Sequence, residues 1–212
     1  MKMRPDERLL FIGDSITDCG RREEPYTPYG CGYVHLFRNL LLHRHPTWRV
    51  KILNRGVNGD TIRDLERRWE NDVLAERPDR LVVAIGINDV WRRFADPESL
   101  DDHVPLEEYL GIYRELLRVS QESGIQGVCL ATPFFVEPDR AEPMREMCDL
   151  YAEAVRDLTD ELFLDLADFQ LAVDRFLRDQ HPMMIAADRV HLQPHGHLAL
   201  AETVYEALCG EG

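Results

Sequence analysis

Basic residues are scarce: 25 Lys and Arg stand against 39 Asp and Glu in 212 residues, a formal charge of −14. Nucleic acids and anionic bilayers are held mainly by clustered Lys and Arg that release counterions. No such cluster exists here, so neither is an expected partner. No stretch approaches the roughly 18–20 consecutive apolar residues of a membrane span. The polar segment Met1 to Arg8 leads into only four apolar residues, Leu9 to Ile12, before Gly13 and Asp14. That run is too short for a secretory signal, whose apolar region needs about 7–15 residues, and a soluble, cytoplasmic protein is expected. Cysteine is sparse as well. Cys19, Cys31, Cys129, Cys148 and Cys209 are odd in number, widely spaced and without C-x-x-C, which fits reduced structural thiols rather than a disulfide framework or a zinc ribbon. Internal repeats and Gly/Ser-rich linkers are absent too, so residues 1–212 read as one domain.

What is present is an alternation of two patterns. Short apolar runs at Leu9–Ile12, Val50–Leu53, Leu81–Ile87 and Gly127–Ala131, with a fifth at Leu162–Leu166, predict strands. They are continuous rather than alternating, as in parallel sheets buried on both faces. Between them, apolar residues recur at helical spacing: Tyr33, Leu36, Phe37, Leu40 and Leu41; Ile62, Leu65, Trp69 and Val73; Leu106, Tyr109, Tyr113, Leu116 and Leu117; Leu198, Ala201, Val204, Tyr205 and Leu208. Asp60-Thr61 followed by Asp64 has the form of a capping box and predicts a helix start within a residue or two of Asn58. The alternation predicts a three-layer α/β/α sandwich, and ligands of such sheets sit beyond the carboxyl ends of the strands. The segments in that position are Gly13-Asp14-Ser15, Asn54 to Asp60 and Gly86 to Asp89.

A serine attacks esters only when a base takes its proton and an acceptor holds that base in the right tautomer. Ser15 follows the first strand. Asp188 and His191 precede the last helical pattern, and their spacing of three lets the carboxylate fold back onto one imidazole nitrogen. These three form a candidate triad. Donors for a developing oxyanion are available in Gly59, the Asn88 amide and the Ser15 backbone N–H. G-D-S alone is ordinary turn and N-cap chemistry.

Four blocks in order carry more: G-D-S-I (Gly13 to Ile16), G-V-N-G-D-T (Gly56 to Thr61), G-I-N-D (Gly86 to Asp89) and D-x-x-H (Asp188 to His191). Together they resemble the SGNH hydrolases, or GDSL esterases, across almost the whole chain. The resemblance implies a five-stranded parallel sheet of flavodoxin-like order. It implies Ser15 as nucleophile, Asp188 and His191 as its partners, and Ser15, Gly59 and Asn88 as the oxyanion hole, with Gly56 a turn glycine. The strings Leu9 to Arg21, Arg63 to Glu70 and Ile85 to Arg92 further resemble the intracellular bacterial acetylxylan esterases of this family. Two positions depart from the pattern: Leu192 follows the histidine where the family has Pro, and Ala187 precedes Asp188 where the xylan-type enzymes carry an aromatic residue.

Asp14 and Asp89 read as loop-orienting carboxylates. Trp91, Tyr26 and Tyr29 are candidates to stack on a sugar. The loops Asp18–Gly32, Arg92–His103 and Pro133–Glu146 read as polar borders of the pocket, with no apolar lid of the lipase kind. His191, His195 and His197 suggest a metal site. However, Pro194 interrupts the helical spacing and His191 is needed by Ser15, so no metal or other cofactor is expected. The expected activity is a serine esterase removing short acyl groups from a small-molecule or oligosaccharide ester. A thioesterase or lysophospholipase is the alternative within the class, and a non-catalytic carbohydrate-binding module lies outside it. A homo-oligomer is the assembly left open.

Overall fold

Alternate residues of a strand face opposite sides of its sheet. Leu9, Leu10, Phe11 and Ile12 are all fully buried, so both faces of the first strand are covered. The computed structural model describes residues 2–95 and 103–210. Its strands are β1 (Arg8–Gly13), β2 (Lys51–Gly56), β3 (Arg80–Ala84), β4 (Gly127–Ala131) and β5 (Asp165–Ala167). All pair in parallel in the order β2-β1-β3-β4-β5, the flavodoxin-like order.

The helices are α1 (Ser15–Asp18), α2 (Tyr33–Arg44), α3 (Ile62–Trp69), α4 (Ile87–Ala95), α5 (Leu106–Glu122), α6 (Pro143–Glu161), α7 (Phe169–Phe176), α8 (Pro182–Ile185) and α9 (Pro194–Cys209), with a π-helical turn, Glu70–Leu74, continuing α3. Helix α2 packs on α9, which lies over β4 and β5, while α3 packs on α5 and α4 on α6. An aromatic chain ties β1 to α2 and α7: Phe11 meets Tyr33 at 5.7 Å and Phe37 at 5.3 Å, and Tyr33 meets Phe169 at 5.3 Å between ring centroids.

Several elements differ from their sequence-based expectation. The third strand stops at Ala84 because Ile87 already begins α4. The fifth begins at Asp165, since α6 runs to Glu161 and Phe163 turns the chain at a positive φ of 53° with its ring exposed. Helix α3 starts at Ile62 rather than near Asn58; the Asp64 carboxylate accepts the Thr61 N–H at 2.9 Å and its hydroxyl at 2.7 Å, which fixes the helix start there. Pro133–Glu146 is not a polar border, because Phe134, Phe135 and Val136 are buried and α6 takes over at Pro143. Of Arg92–His103, the first four residues belong to α4 and residues 96–102 lie outside those described. No helix among the described residues is long and apolar enough to cross a membrane.

Candidate active site

Parallel pairing aligns the strand ends: Gly13 is in register with Gly56 on one side and Ala84 on the other. The three segments leaving those ends therefore emerge side by side. Asp14 caps α1 by accepting the Ile16 N–H at 2.9 Å, which starts a helix at Ser15. Across the chain, the segment between α8 and α9 delivers Asp188 and His191. Its fold is local: Asp188 Oδ1 accepts the backbone N–H of Val190 at 3.0 Å and of His191 at 2.8 Å.

That turn points the imidazole at the serine. His191 Nδ1 lies 2.6 Å from Asp188 Oδ2, and His191 Nε2 lies 2.9 Å from Ser15 Oγ. With Nδ1–H donating to the carboxylate, Nε2 is left to accept the serine hydroxyl. Partial burial works to raise the Asp188 carboxyl, but hydrogen bonds from the His191 ring and from the His191 and Val190 backbone outweigh it and hold it below the ordinary value. The carboxylate is thus ionised beside the histidine at neutral pH.

Asn88 sits in the first turn of α4, and its Nδ2 donates to the Asp60 carbonyl at 2.9 Å. That bond uses one of two amide hydrogens and sets the direction of the other. Gly59 has φ +81°, a left-handed conformation, and a Cβ built there would meet nothing within 4 Å; the position is open and its backbone reachable. Arg92 holds the same peptide region by donating to the Gly59 carbonyl at 2.8 Å. Gly56 is committed elsewhere, since its N–H donates to Asn54 Oδ1 at 2.8 Å.

Two residues that sequence reasoning passed over hold this edge together. Buried Asn54 donates to the Thr17 carbonyl at 2.7 Å and the Tyr29 carbonyl at 2.9 Å, tying the end of β2 to the nucleophile's helix. Arg68 donates to Asp60 Oδ2 at 2.7 Å, to the Arg55 carbonyl at 2.7 Å and to the Gly13 carbonyl at 3.1 Å, bridging three segments of the site. Asn54 lies two residues before the second block, and Arg68 lies in the stretch Arg63 to Glu70, so position relative to the motifs was the available signal.

Beneath these contacts lie two buried carboxyls, Asp14 and Asp89. Asp89 Oδ1 accepts the Ile62 N–H at 2.9 Å, while Oδ2 is buried with no hydrogen-bond partner. Burial pushes both Asp14 and Asp89 up to about 7 against the pull of their backbone hydrogen bonds. His197 is likewise driven down by burial, to about 4, and is neutral. Among the described residues no group of three or more His, Cys, Asp or Glu is placed to hold a metal ion.

Above the triad lies an open cleft of about 480 Å³ lined by Ser15, Asn58, Gly59, Asn88, Trp91 and His191, with Ile16, Leu192, Cys19, Gly20 and His197 completing it. The Trp91 ring stands 6.5 Å from that of His191. Tyr26 and Tyr29, expected beside the substrate, do not line this cleft. The Tyr26 ring is solvent-exposed, and Tyr29 packs against the core under the Arg38 guanidinium at 4.8 Å. Ala187 lies outside it too, in a neighbouring depression with Met183 and Arg189.

Comparison with known proteins places this arrangement. Residues 11–199 match the GDSL-like lipase/acylhydrolase family. An acetylxylan esterase from Geobacillus stearothermophilus is 40% identical over 205 residues, covering 95% of this chain and 93% of its own. The crystal structure of a catalytic mutant of the acetylxylan esterase Axe2 from that organism superposes with a TM-score of 0.94 at 38% identity, covering 100% of this chain and 98% of that one. LAE5, an α/β hydrolase from the metagenome of Lake Arreo, Spain, gives 0.93 at 38% identity over 99% of both chains. On sequence and fold together, the chain belongs to the GDSL-like lipase/acylhydrolase family, the SGNH hydrolases, and is a carboxylic ester hydrolase.

Proposed function

We propose that this chain is a serine esterase that removes acetyl groups from a carbohydrate, in the manner of an acetylxylan esterase acting on acetylated xylo-oligosaccharides. The observation that carries the proposal is the continuous relay from Asp188 Oδ2 through His191, at 2.6 Å, to Ser15 Oγ, at 2.9 Å. In this reading His191 takes the Ser15 proton as Oγ attacks the ester carbonyl. The tetrahedral oxyanion is held by the N–H groups of Ser15 and Gly59 and by the free amide hydrogen of Asn88. His191 then protonates the departing sugar alcohol, leaving an acyl-serine. Water, deprotonated by His191, attacks that ester and releases acetate and free Ser15. Trp91, beside His191 in the cleft, serves as the stacking surface for the sugar ring.

Acetyl is favoured over longer acyl chains because the cleft lies open above Ser15, with Ile16, Trp91 and Leu192 at its wall rather than an enclosed apolar tunnel for a chain to enter. The similarity to a Geobacillus acetylxylan esterase at 40% identity supports the sugar. Each methylene buried in a true acyl tunnel would add about 0.8 kcal/mol. A thioesterase or lysophospholipase would therefore improve several-fold per methylene. On 4-nitrophenyl esters, kcat/KM is expected to fall from acetate to octanoate, and peracetylated xylose or acetylated xylo-oligosaccharide to be deacetylated. Faster turnover of octanoate or of a palmitoyl thioester than of acetate overturns the assignment.

We place this activity in one hydrolase domain over residues 1–212, in the cytoplasm, whose reducing poise suits a chain with five free thiols and no structural disulfide among the described residues. A homo-oligomer would cover Met183 and Met184, both more than 60% exposed on α8. Sedimentation velocity tests it.

A further inference from the structure

Cys19 and Cys31 belong to none of the four blocks, yet the fold brings their sulfurs within 3.5 Å of each other. The backbone holds them there. Cys31 N donates to the Cys19 carbonyl at 2.8 Å, and Cys31 Sγ approaches the same oxygen at 3.3 Å. A Cβ on Gly32 would lie 2.8 Å from Cys19 Cβ and 2.9 Å from Cys19 Sγ, so the absence of a side chain there is what lets the two strands of this loop close. Their exposures differ in a useful way. Cys31 is exposed and Cys19 half-buried, while Cys129 and Cys148 are buried within the core.

The pair is also mechanically joined to the nucleophile. Cys19 N donates to the Ser15 carbonyl at 2.9 Å, closing α1, and Cys19 lines the same cleft as Ser15. On its other side Cys19 Sγ contacts His197 Nε2 at 3.7 Å.

We propose that Cys19 and Cys31 form a reversible redox site, oxidised to a disulfide by exchange with a low-molecular-weight disulfide, and that closing the bond slows turnover at Ser15. Exposed Cys31 reacts first: its thiolate attacks one sulfur of the small disulfide, the S–S bond breaks, and one thiol departs carrying the proton that Cys31 gave up. Cys19 then attacks Cys31 Sγ, forming the internal disulfide and expelling the second small thiol, which takes the Cys19 proton. Two protein thiols are oxidised and one small disulfide is reduced to two thiols. Burial, and next the hydrogen bond with Cys31, hold the Cys19 thiol up at about 12, so exposed Cys31 is the initiating thiol; the part of that rise due to Cys31 is removed once Cys31 Sγ is held in the mixed disulfide. Closing the bond draws Cys19 Sγ toward Cys31 and away from His197, and so shifts the wall of the cleft that continues from Ser15.

The kinetic half of this proposal rests on the esterase reading; the chemical half does not. Native enzyme is treated with oxidised glutathione at pH 8, alkylated and digested for peptide mapping, and assayed on 4-nitrophenyl acetate before and after dithiothreitol. The expected result is a Cys19–Cys31 link and a several-fold fall in kcat/KM that dithiothreitol reverses. Cys31→Ser is expected to keep the rate of the reduced wild type and to ignore the oxidant. A stable glutathione adduct on Cys31 with Cys19 still free overturns the proposal, as does linked enzyme with an unchanged rate. Should the reduced enzyme fail to hydrolyse the acetate at all, the esterase reading falls, while the peptide map still decides whether the two thiols are a redox pair.

Discussion

Two acidic regions flank Ser15, and they are in opposite electrostatic states. The loop carrying Asp188 is half exposed and rich in donors, so its carboxylate is stabilised in the ionised form. The floor carrying Asp14 and Asp89 is buried, and that burial raises both carboxyls to about 7. The same side chain thus serves two ends. On the loop it is a charge that orients the His191 ring through Nδ1, and in the proposed reaction it would stabilise the imidazolium. In the floor it is a compact acceptor that fixes the Ile16 and Ile62 N–H groups, at 2.9 Å each, and so sets where α1 and α3 begin. Sequence proximity to Ser15 is a poor guide to which carboxyl meets the imidazole: Asp14 is adjacent to Ser15, while Asp188 is far away in the chain and contacts His191 Nδ1 at 2.6 Å.

Substitutions on the two sides sharpen this contrast. Removing the nucleophile with Ser15→Ala should cost roughly 10⁴ to 10⁶ in kcat with an unchanged circular dichroism spectrum; a variant retaining a tenth of the wild-type rate would break the account. Asp188→Asn keeps the shape but favours the wrong tautomer, and a fall of about 10⁴ is the upper expectation. Asn88→Ala removes one oxyanion donor and should lower kcat by about 10² to 10³, roughly 3–4 kcal/mol, with little change in KM. An effect confined to KM would make Asn88 a ground-state contact instead.

The smallest effect belongs to the floor and appears in stability. The folded-state pKa of Asp89, about 7, lies above the ordinary carboxyl value of 3.8. Its contribution to stability is therefore fully present below about pH 3.8, declines as pH rises between the two values, and is lost above 7. Asp89→Asn retains an acceptor for Ile62 and cannot ionise. Its melting temperature relative to wild type should rise by several degrees between pH 5 and pH 8 in differential scanning calorimetry. A difference independent of pH would show that Asp89 is not a raised, buried acid.

The sheet was legible because its strands are pure apolar runs, and the meeting of Asp188 with His191 because they make their contact within one turn. The elements that escaped did so for local reasons. The buried face of α6 includes Arg145, Cys148 and Thr159 among its apolar residues, and an ion-paired arginine does not read as core; Arg145 is buried because Asp149 and Asp174 each pair with it at 2.9 Å. Helix α4 was hidden because Asn88, read as a strand-end residue, belongs to its first turn. Tyr26 and Tyr29 share a loop with the site but do not line the cleft: Tyr26 is exposed and Tyr29 packs on the core, a placement that spacing does not encode. The meeting of Cys19 and Cys31 depends on how that same loop returns to α1, and no motif marks it.

In the reaction proposed above, the Asp188 loop activates Ser15 and the buried floor only shapes it. Labelling with a serine-directed fluorophosphonate tests this most directly, because phosphonylation needs the activated hydroxyl and no particular substrate. Mass spectrometry should find the adduct on Ser15, with the second-order labelling rate falling by orders of magnitude in Asp188→Asn and staying within a few-fold of wild type in Asp89→Asn. An adduct on another residue, or equal slowing by the two substitutions, would contradict it.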